Sequence, residues 1–201
     1  MRRLIALTFV TLDGVMQAPG GPEEDREGKF THGGWSVGYW DEVMNDVMTE
    51  QMGHPFDLVL GRKTYEIFAG YWPTATEPGA NELNKAKKYV ASRTLKNLSW
   101  KNSVLLTGDA AGAVKNIKAG DGPELQVHGS SDLLQTLLKN DLVDEFRLKI
   151  FPVTIGIGKR LFAGGTIPGS FKLIKSQSSP QGVIVANYVR DGNIKIGSFG
   201  A

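Results

Sequence analysis

Apolar runs and helical repeats alternate along this chain. Arg3 to Thr11 is a nearly unbroken apolar run and predicts a strand buried on both faces. Val43, Met44, Val47, Met48 and Met52 recur at helical spacing and predict a helix over Asp41 to Met52. Asp57 to Leu60 predicts a short buried strand ending at Gly61, and Arg62 to Tyr71 a helix stopped by Pro73. Tyr89 to Ala91 and Val104 to Leu106 predict short strands, and Ala110 to Ala119 a helix closed by Gly120 and Gly122. Then follow a strand at Leu125 to His128, a helix at Ser130 to Lys139 and a strand at Glu145 to Phe151. Leu173 to Gln177 and Val183 to Val189 predict a hairpin across Ser179-Pro180-Gln181-Gly182.

Strand–helix alternation of this kind implies an α/β fold, with a mostly parallel sheet, helices on both faces, and the final hairpin adding antiparallel strands at one edge. One segment breaks the rhythm. Gly14 to Gly38 is rich in glycine and charge and too long for a mere connection, which marks it as a functional or a disordered loop.

Composition narrows the classes. The 201 residues suit one domain, and 41% hydrophobic with 22% charged residues is ordinary for a soluble protein with a core. A net charge of +2 without a basic run gives no nucleic-acid footprint. The absence of cysteine excludes disulfides, thiolate metal sites and cysteine nucleophiles, and fits a reducing compartment. The apolar run Leu4 to Val10 is short and lacks a small-residue cleavage pattern, and no stretch approaches a membrane span, so a cytoplasmic protein is expected. His32, His54 and His128 lack metal-ligand spacing.

Three strand ends could carry chemistry. Leu58-Val59-Leu60-Gly61-Arg62-Lys63-Thr64 runs a buried strand into a helix that opens with two cations, and a helix N-terminus attracts anions. Cations are electrostatically unfavourable there, which points to a phosphate site; the alternative is a solvated first turn. Val127-His128-Gly129-Ser130-Ser131-Asp132 is a second junction, readable as a helix cap or as part of a ligand site beyond the strand ends. Tyr89-Val90-Ala91-Ser92-Arg93 is the third, where Arg93 offers a planar grip on phosphate or is simply solvated.

Taken together, these motifs resemble a known family. Gly61-Arg62-Lys63-Thr64 is similar to the cofactor-binding turn of dihydrofolate reductases, Ser92-Arg93 to the strand end that holds the adenosine 2′-phosphate, and Gly129-Ser130-Ser131 to the glycine-rich pyrophosphate turn. Thr11-Leu12-Asp13-Gly14, Leu142 to Arg147, Phe151-Pro152-Val153 and Gly156 to Phe162 resemble the RibD C-terminal family, the reductase domain of riboflavin biosynthesis. The resemblance runs from about residue 3 to 190. It implies a dihydrofolate reductase-like three-layer fold, NADPH as cofactor, hydride transfer to a C=N or C=O carbon of a heterocyclic or ribosylated substrate, and a homodimer, whose surface we place over Glu145 to Phe162. One departure stands out: riboflavin reductases commonly carry Glu-Gly-Gly where this chain has His128-Gly129-Ser130.

Proton handling is expected from Asp13 first and Asp41 second. Trp35, Trp40 and His128 are the expected substrate contacts, with the Gly14 to Gly38 loop closing over them. Two other readings compete. Gly34-Trp35-Ser36-Val37-Gly38 has the spacing of a serine-hydrolase elbow, but no strand precedes it. The other is a non-catalytic, dimeric nucleotide-binding module.

Overall fold

The computed structural model describes residues 1–200. Its strands are β1 (Leu4–Thr11), β2 (Phe56–Gly61), β3 (Lys88–Ala91), β4 (Ser103–Leu106), β5 (Glu124–Val127), β6 (Glu145–Phe151), β7 (Phe171–Ser178) and β8 (Ile184–Arg190). They form one sheet in the order β4-β3-β2-β5-β1-β6-β8-β7. All pairings from β4 to β6 are parallel; β8 lies antiparallel to both β6 and β7, as the predicted hairpin requires.

The helices are α1 (Glu42–Met52), α2 (Arg62–Tyr71), α3 (Ala80–Lys85), α4 (Ala110–Ala119) and α5 (Ser131–Lys139). The two-residue period of β1 separates its faces. Leu4, Ala6 and Val10 join Val114 of α4 and Leu133, Leu134, Leu137 and Leu138 of α5 in one core. On the other face, Leu58, Leu60 and Val90 pack with Met52 of α1, Tyr65 of α2 and Leu83 of α3. A further cluster sets Met44 and Val47 of α1 on Phe151, Val183 and Val185.

Most predicted elements are present within a residue or two. Helix α3 was not expected: only Ala80 and Leu83 of its six residues are buried, too few positions to make a period. The expected dimer surface, Glu145 to Phe162, is corrected in its first half only; Ile157 and Phe162 in its second half are exposed. Glu145 to Phe151 is β6, an interior strand flanked by β1 and β8, with Glu145, Phe146, Leu148, Lys149 and Phe151 all buried. The free edges of the sheet are β4 and β7.

The sheet face under α1 is unusually polar. Arg147 donates to both oxygens of Glu124 at 3.0 and 3.1 Å and to Glu145 at 2.7 Å. The buried Gln126 side chain donates to the Gln51 carbonyl of α1 at 3.0 Å. Lys149, fully buried, donates to the Gln51 side-chain oxygen. Apolar side chains of the same size would build a core more simply, since each of these polar groups must find a partner. The stripe ends at the rim where the parallel strands point their carboxyl ends.

Candidate functional site

A cleft of about 840 Å³ opens along that rim. It is lined by Gly61, Arg62, Lys63, Thr64, Ser92, Arg93, Gly129, Ser130 and Ser131, so the three predicted strand ends face one space. This is where ligands bind in open α/β sheets.

Two helix N-termini meet here with little room to spare. Ser130 Oγ donates to Thr64 Oγ1 at 2.7 Å, joining the first turn of α2 to the start of α5. Ser130 takes a left-handed backbone (φ 72°), and the preceding Gly129 has φ 142°. Neither helix has a side-chain cap on its first amides: Gly61 precedes α2, and the Ser130 hydroxyl is spent on Thr64 instead. By contrast, Asp41 caps α1 and Asp109 caps α4. α3 also lacks a side-chain cap, at Gly79, but away from the cleft lining, and the start of α4 that does line the cleft is capped by Asp109. α2 and α5 are the uncapped ends that face the cleft, and uncapped amides with a positive helix end attract anions.

The cations around them differ in commitment. Arg62 pairs with Glu66 at 2.9 Å. Lys63 is held by Asp25 at 2.8 Å and Glu27 at 3.1 Å, and Lys159 by the same two carboxylates at 2.8 and 2.7 Å. These pairs push both lysines above the ordinary lysine range, mainly through the hydrogen bonds to Asp25 and Glu27 for Lys63, and against burial for Lys159. They also tie the Gly14 to Gly38 loop across the cleft. Arg93 is exposed and has no ion pair among the described residues. Ser92 Oγ accepts from the amides of Thr94 and Leu95, at 3.2 and 3.0 Å, and fixes the turn that carries Arg93.

Across the rim the lining becomes apolar and aromatic: Phe9, Trp40, Met48, Met52, Phe68 and Trp72, with His128 and Lys149 among them. Trp40 packs on Phe9 with ring centroids 5.8 Å apart, and its indole N–H donates to Asn45 at 2.7 Å. His128 Nε2 lies 2.9 Å from Gln126 Oε1. Burial, together with the positive charges of Lys149 and Arg147, lowers its pKa to about 3, so its ring is neutral at pH 7. Burial and Arg147 likewise bring Lys149 down to about 7. Thr8 Oγ1 is buried in the cleft wall with no protein partner, as expected of a group that meets a ligand.

Several expected site residues lie elsewhere. Asp13 does not line the cleft. Its carboxylate accepts from Thr11 Oγ1, from the amides of Ile155 and Gly156 at 3.2 and 2.7 Å, and approaches Arg160 at 3.5 Å. The Thr11 hydrogen bond and these amides hold it down to about 2, a permanent anion stapling two loops. Asp41 is also outside the lining: it accepts from Met44 N at 3.0 Å and Gln181 N at 3.3 Å as a helix cap. Both carboxylates are committed to backbone amides, so the proton-handling role expected of them is corrected to a structural one. Trp35 donates to the Gln17 carbonyl at 2.8 Å and sets its ring edge on Phe151, pinning the loop from outside the cleft. Ser36 is buried and donates to the Pro19 carbonyl at 2.8 Å, which leaves no nucleophile elbow.

Lys149 escaped the sequence reading. Within Glu145-Phe-Arg-Leu-Lys-Ile-Phe151 its charge looks like the polar phase of an exposed strand. The available signal is the nearly unbroken apolar run of β1, which marks the neighbouring region of the sheet as interior.

A mostly parallel α/β sheet thus carries a cleft across its strand ends, with uncapped helix starts on one side and aromatic rings on the other. The profile of the RibD C-terminal domain family matches residues 2–185, and the chain belongs to that family. YyaP of Bacillus subtilis (strain 168), described as an uncharacterized protein, is 28% identical over 197 residues, spanning 95% of this chain and 96% of its own. Among solved structures, a "putative riboflavin biosynthesis protein" from Shewanella sp. PV-4 superposes with a TM-score of 0.71 at 23% identity, over 94% of this chain and 99% of that one. A pyrimidine reductase-like protein from Corynebacterium diphtheriae gives 0.67 at 15% identity, over 96% and 93%. At these identities the two structures establish a shared fold. Among the described residues, no helix is long and apolar enough to cross a membrane.

Proposed function

We propose that this protein is an NADPH-dependent reductase acting on a small heterocycle, of the pyrimidine or pterin kind, free or ribosylated. The observation that carries the reading is the pair of uncapped helix ends, clasped through Ser130 and Thr64, opening onto the same cleft as an aromatic floor. Family membership and a pyrimidine reductase-like relative in fold support it.

The residues present fit a phosphorylated dinucleotide. The first-turn amides of α2 and α5 would take the pyrophosphate, and Arg93, fixed by Ser92 and free of carboxylates, would take the 2′-phosphate. The orphaned Thr8 hydroxyl would gain a partner. When bound, the nicotinamide supplies a hydride. The protein's part is to orient the ring against the aromatic wall, keep water out with the loop latched by Lys63 and Lys159, and hold a polar group near the substrate.

Titration with NADPH, with NADH as control, tests the reading by cofactor fluorescence. Selective NADPH binding is the expected result; binding of neither nucleotide would overturn it. Binding without turnover of any heterocycle would favour the non-catalytic module.

A further inference from the structure

The reducible group of a substrate needs a proton as well as a hydride, and its recognition depends on what lies opposite it. Of the carboxylates that line the cleft, Glu24 accepts from the Gly20 and Gly21 amides at 2.6 and 3.2 Å, Asp109 caps α4, and Asp132 lies in the first turn of α5; burial pushes the Glu24 carboxyl above its ordinary range. Asp13 and Asp41 are committed elsewhere, and Asp25 and Glu27 are engaged by Lys63 and Lys159 at the loop. Among the aromatic rings themselves the lining places three polar side chains, Thr8, His128 and Lys149. His128 faces Gln126 through its Nε2. Lys149 is different. An ammonium has three N–H donors, and among the described residues its one hydrogen-bond acceptor is the Gln51 side chain. Its Nζ stands 5.8 Å from the Phe9 ring centroid, and Phe9 is itself part of the cleft wall. A fully buried ammonium with unfilled donors is costly unless an acceptor arrives. Phe9 and Val185 flank it in the sheet, and Arg147 is the nearest charge on its own strand.

Resting on the reductase reading, we infer that the aromatic side of the cleft takes a flat ring presenting an oxo, enolate or ring-nitrogen acceptor, which accepts a hydrogen bond from Lys149, and that Lys149 delivers the proton of the reduction. As the carbon gains hydride, the π pair of its C=O or C=N bond moves to the heteroatom. A Lys149 N–H bond breaks to place the proton there, and the resulting amine recovers a proton from water. The depressed basicity of Lys149 suits both halves of that cycle. The same geometry disfavours rings that offer only amino donors or a cationic edge, since the three polar side chains among the rings include no carboxylate to accept them.

The test uses two small probes with the intact protein at pH 7 in the presence of NADPH: barbiturate, a flat oxo-ring anion, and 2,4-diaminopyrimidine, a donor-faced ring. Calorimetry is expected to show barbiturate binding at least tenfold tighter, and Lys149→Met to remove that preference while NADPH binding is unchanged. Equal or reversed preference in the wild type, no binding of either probe at millimolar concentration, or a Lys149→Met protein that keeps the preference would each overturn the inference. The wild-type comparison decides the matter even if the variant does not fold. Loss of NADPH binding in the wild type would instead count against the reductase reading itself, so the two failures are separable.

Discussion

A Cβ built on Gly61 would lie 2.5 Å from both Cβ and Oγ of Ser130. The two helix ends that face the cleft are therefore set apart by the bulk of one hydrogen atom. Gly61 has an ordinary extended backbone (φ −77°, ψ 165°), so its glycine is required by this approach rather than by torsion. Gly61→Ala should push β2 away from the α5 start and break the Ser130–Thr64 hydrogen bond. Overpacking of this sort costs roughly 1–3 kcal/mol. We expect a lower melting temperature and NADPH affinity reduced by about tenfold or more. Unchanged affinity would show that the clasp does not shape the phosphate site.

Arg93 makes a separable prediction. It is exposed, unpaired and carried on a turn fixed by Ser92, so its removal should leave the fold intact. Charge-assisted hydrogen bonds are worth about 1.5–3 kcal/mol. Arg93→Ala should then weaken NADPH by roughly 10- to 100-fold while leaving NADH nearly unaffected. Equal losses for the two nucleotides, read by fluorescence titration, would remove the 2′-phosphate assignment.

Asp13→Asn should act on stability rather than directly on chemistry. The folded carboxylate is lowered to about 2 from 3.8, so its contribution is complete above the unfolded value and lost as the pH falls through the folded one. Asparagine keeps the shape but loses the charged acceptor of the Ile155 and Gly156 amides. Urea melts at pH 7 should show a loss on the order of 1 kcal/mol, shrinking toward pH 2. A turnover defect without a stability defect would return Asp13 to the active site.

Assembly is a further prediction. The homodimer implied by family resemblance cannot form by edge pairing at β6, an interior strand, whereas β7 is a free edge strand with Leu173 and Ile174 about half exposed. Unpaired edges of this kind invite pairing with a second chain. Light scattering should give a dimer, and Leu173→Lys should shift it toward monomer. A wild-type monomer would remove the proposal.

The strand-end side of the cleft was legible because each of its three parts is local: a strand, a glycine or serine, then the first turn of a helix or loop. Sequence neighbours are spatial neighbours there, so Gly61 to Thr64, Ser92-Arg93 and Gly129 to Ser131 could be placed before the sheet was known. The aromatic side was legible only at Trp40 and His128, because its other residues come from β1, α1, α2 and β6 and meet only through the strand order. Asp13 and Asp41 lie outside the cleft lining, on backbone amides, for one reason. An acid at a turn or helix start serves backbone amides as readily as a substrate, and its partners, Gly156 and Gln181, lie about 140 residues away in the chain. Lys149 was missed because burial of β6 on both faces depends on its neighbours β1 and β8.

That burial has a measurable consequence, independent of any ligand. The Lys149 value of about 7 in the folded protein, against 10.5 in the open chain, means that the unfolded state holds a proton the native state releases between these limits. Stability therefore rises with pH across that window, and below it both states are protonated and the native state bears the full cost of the buried charge. Arg147 adds to this cost, whereas Gln51 offers only a neutral acceptor. Lys149→Met replaces the ammonium by an apolar chain of similar length. The variant should be more stable than the wild type by a few kcal/mol near pH 6, with the difference narrowing steadily toward pH 10 in denaturant melts. A parallel offset at all pH values would mean that packing, not charge, distinguishes the two. A wild type more stable at pH 6 than the variant would mean that the ammonium is satisfied without a ligand and that the cleft does not carry its cost.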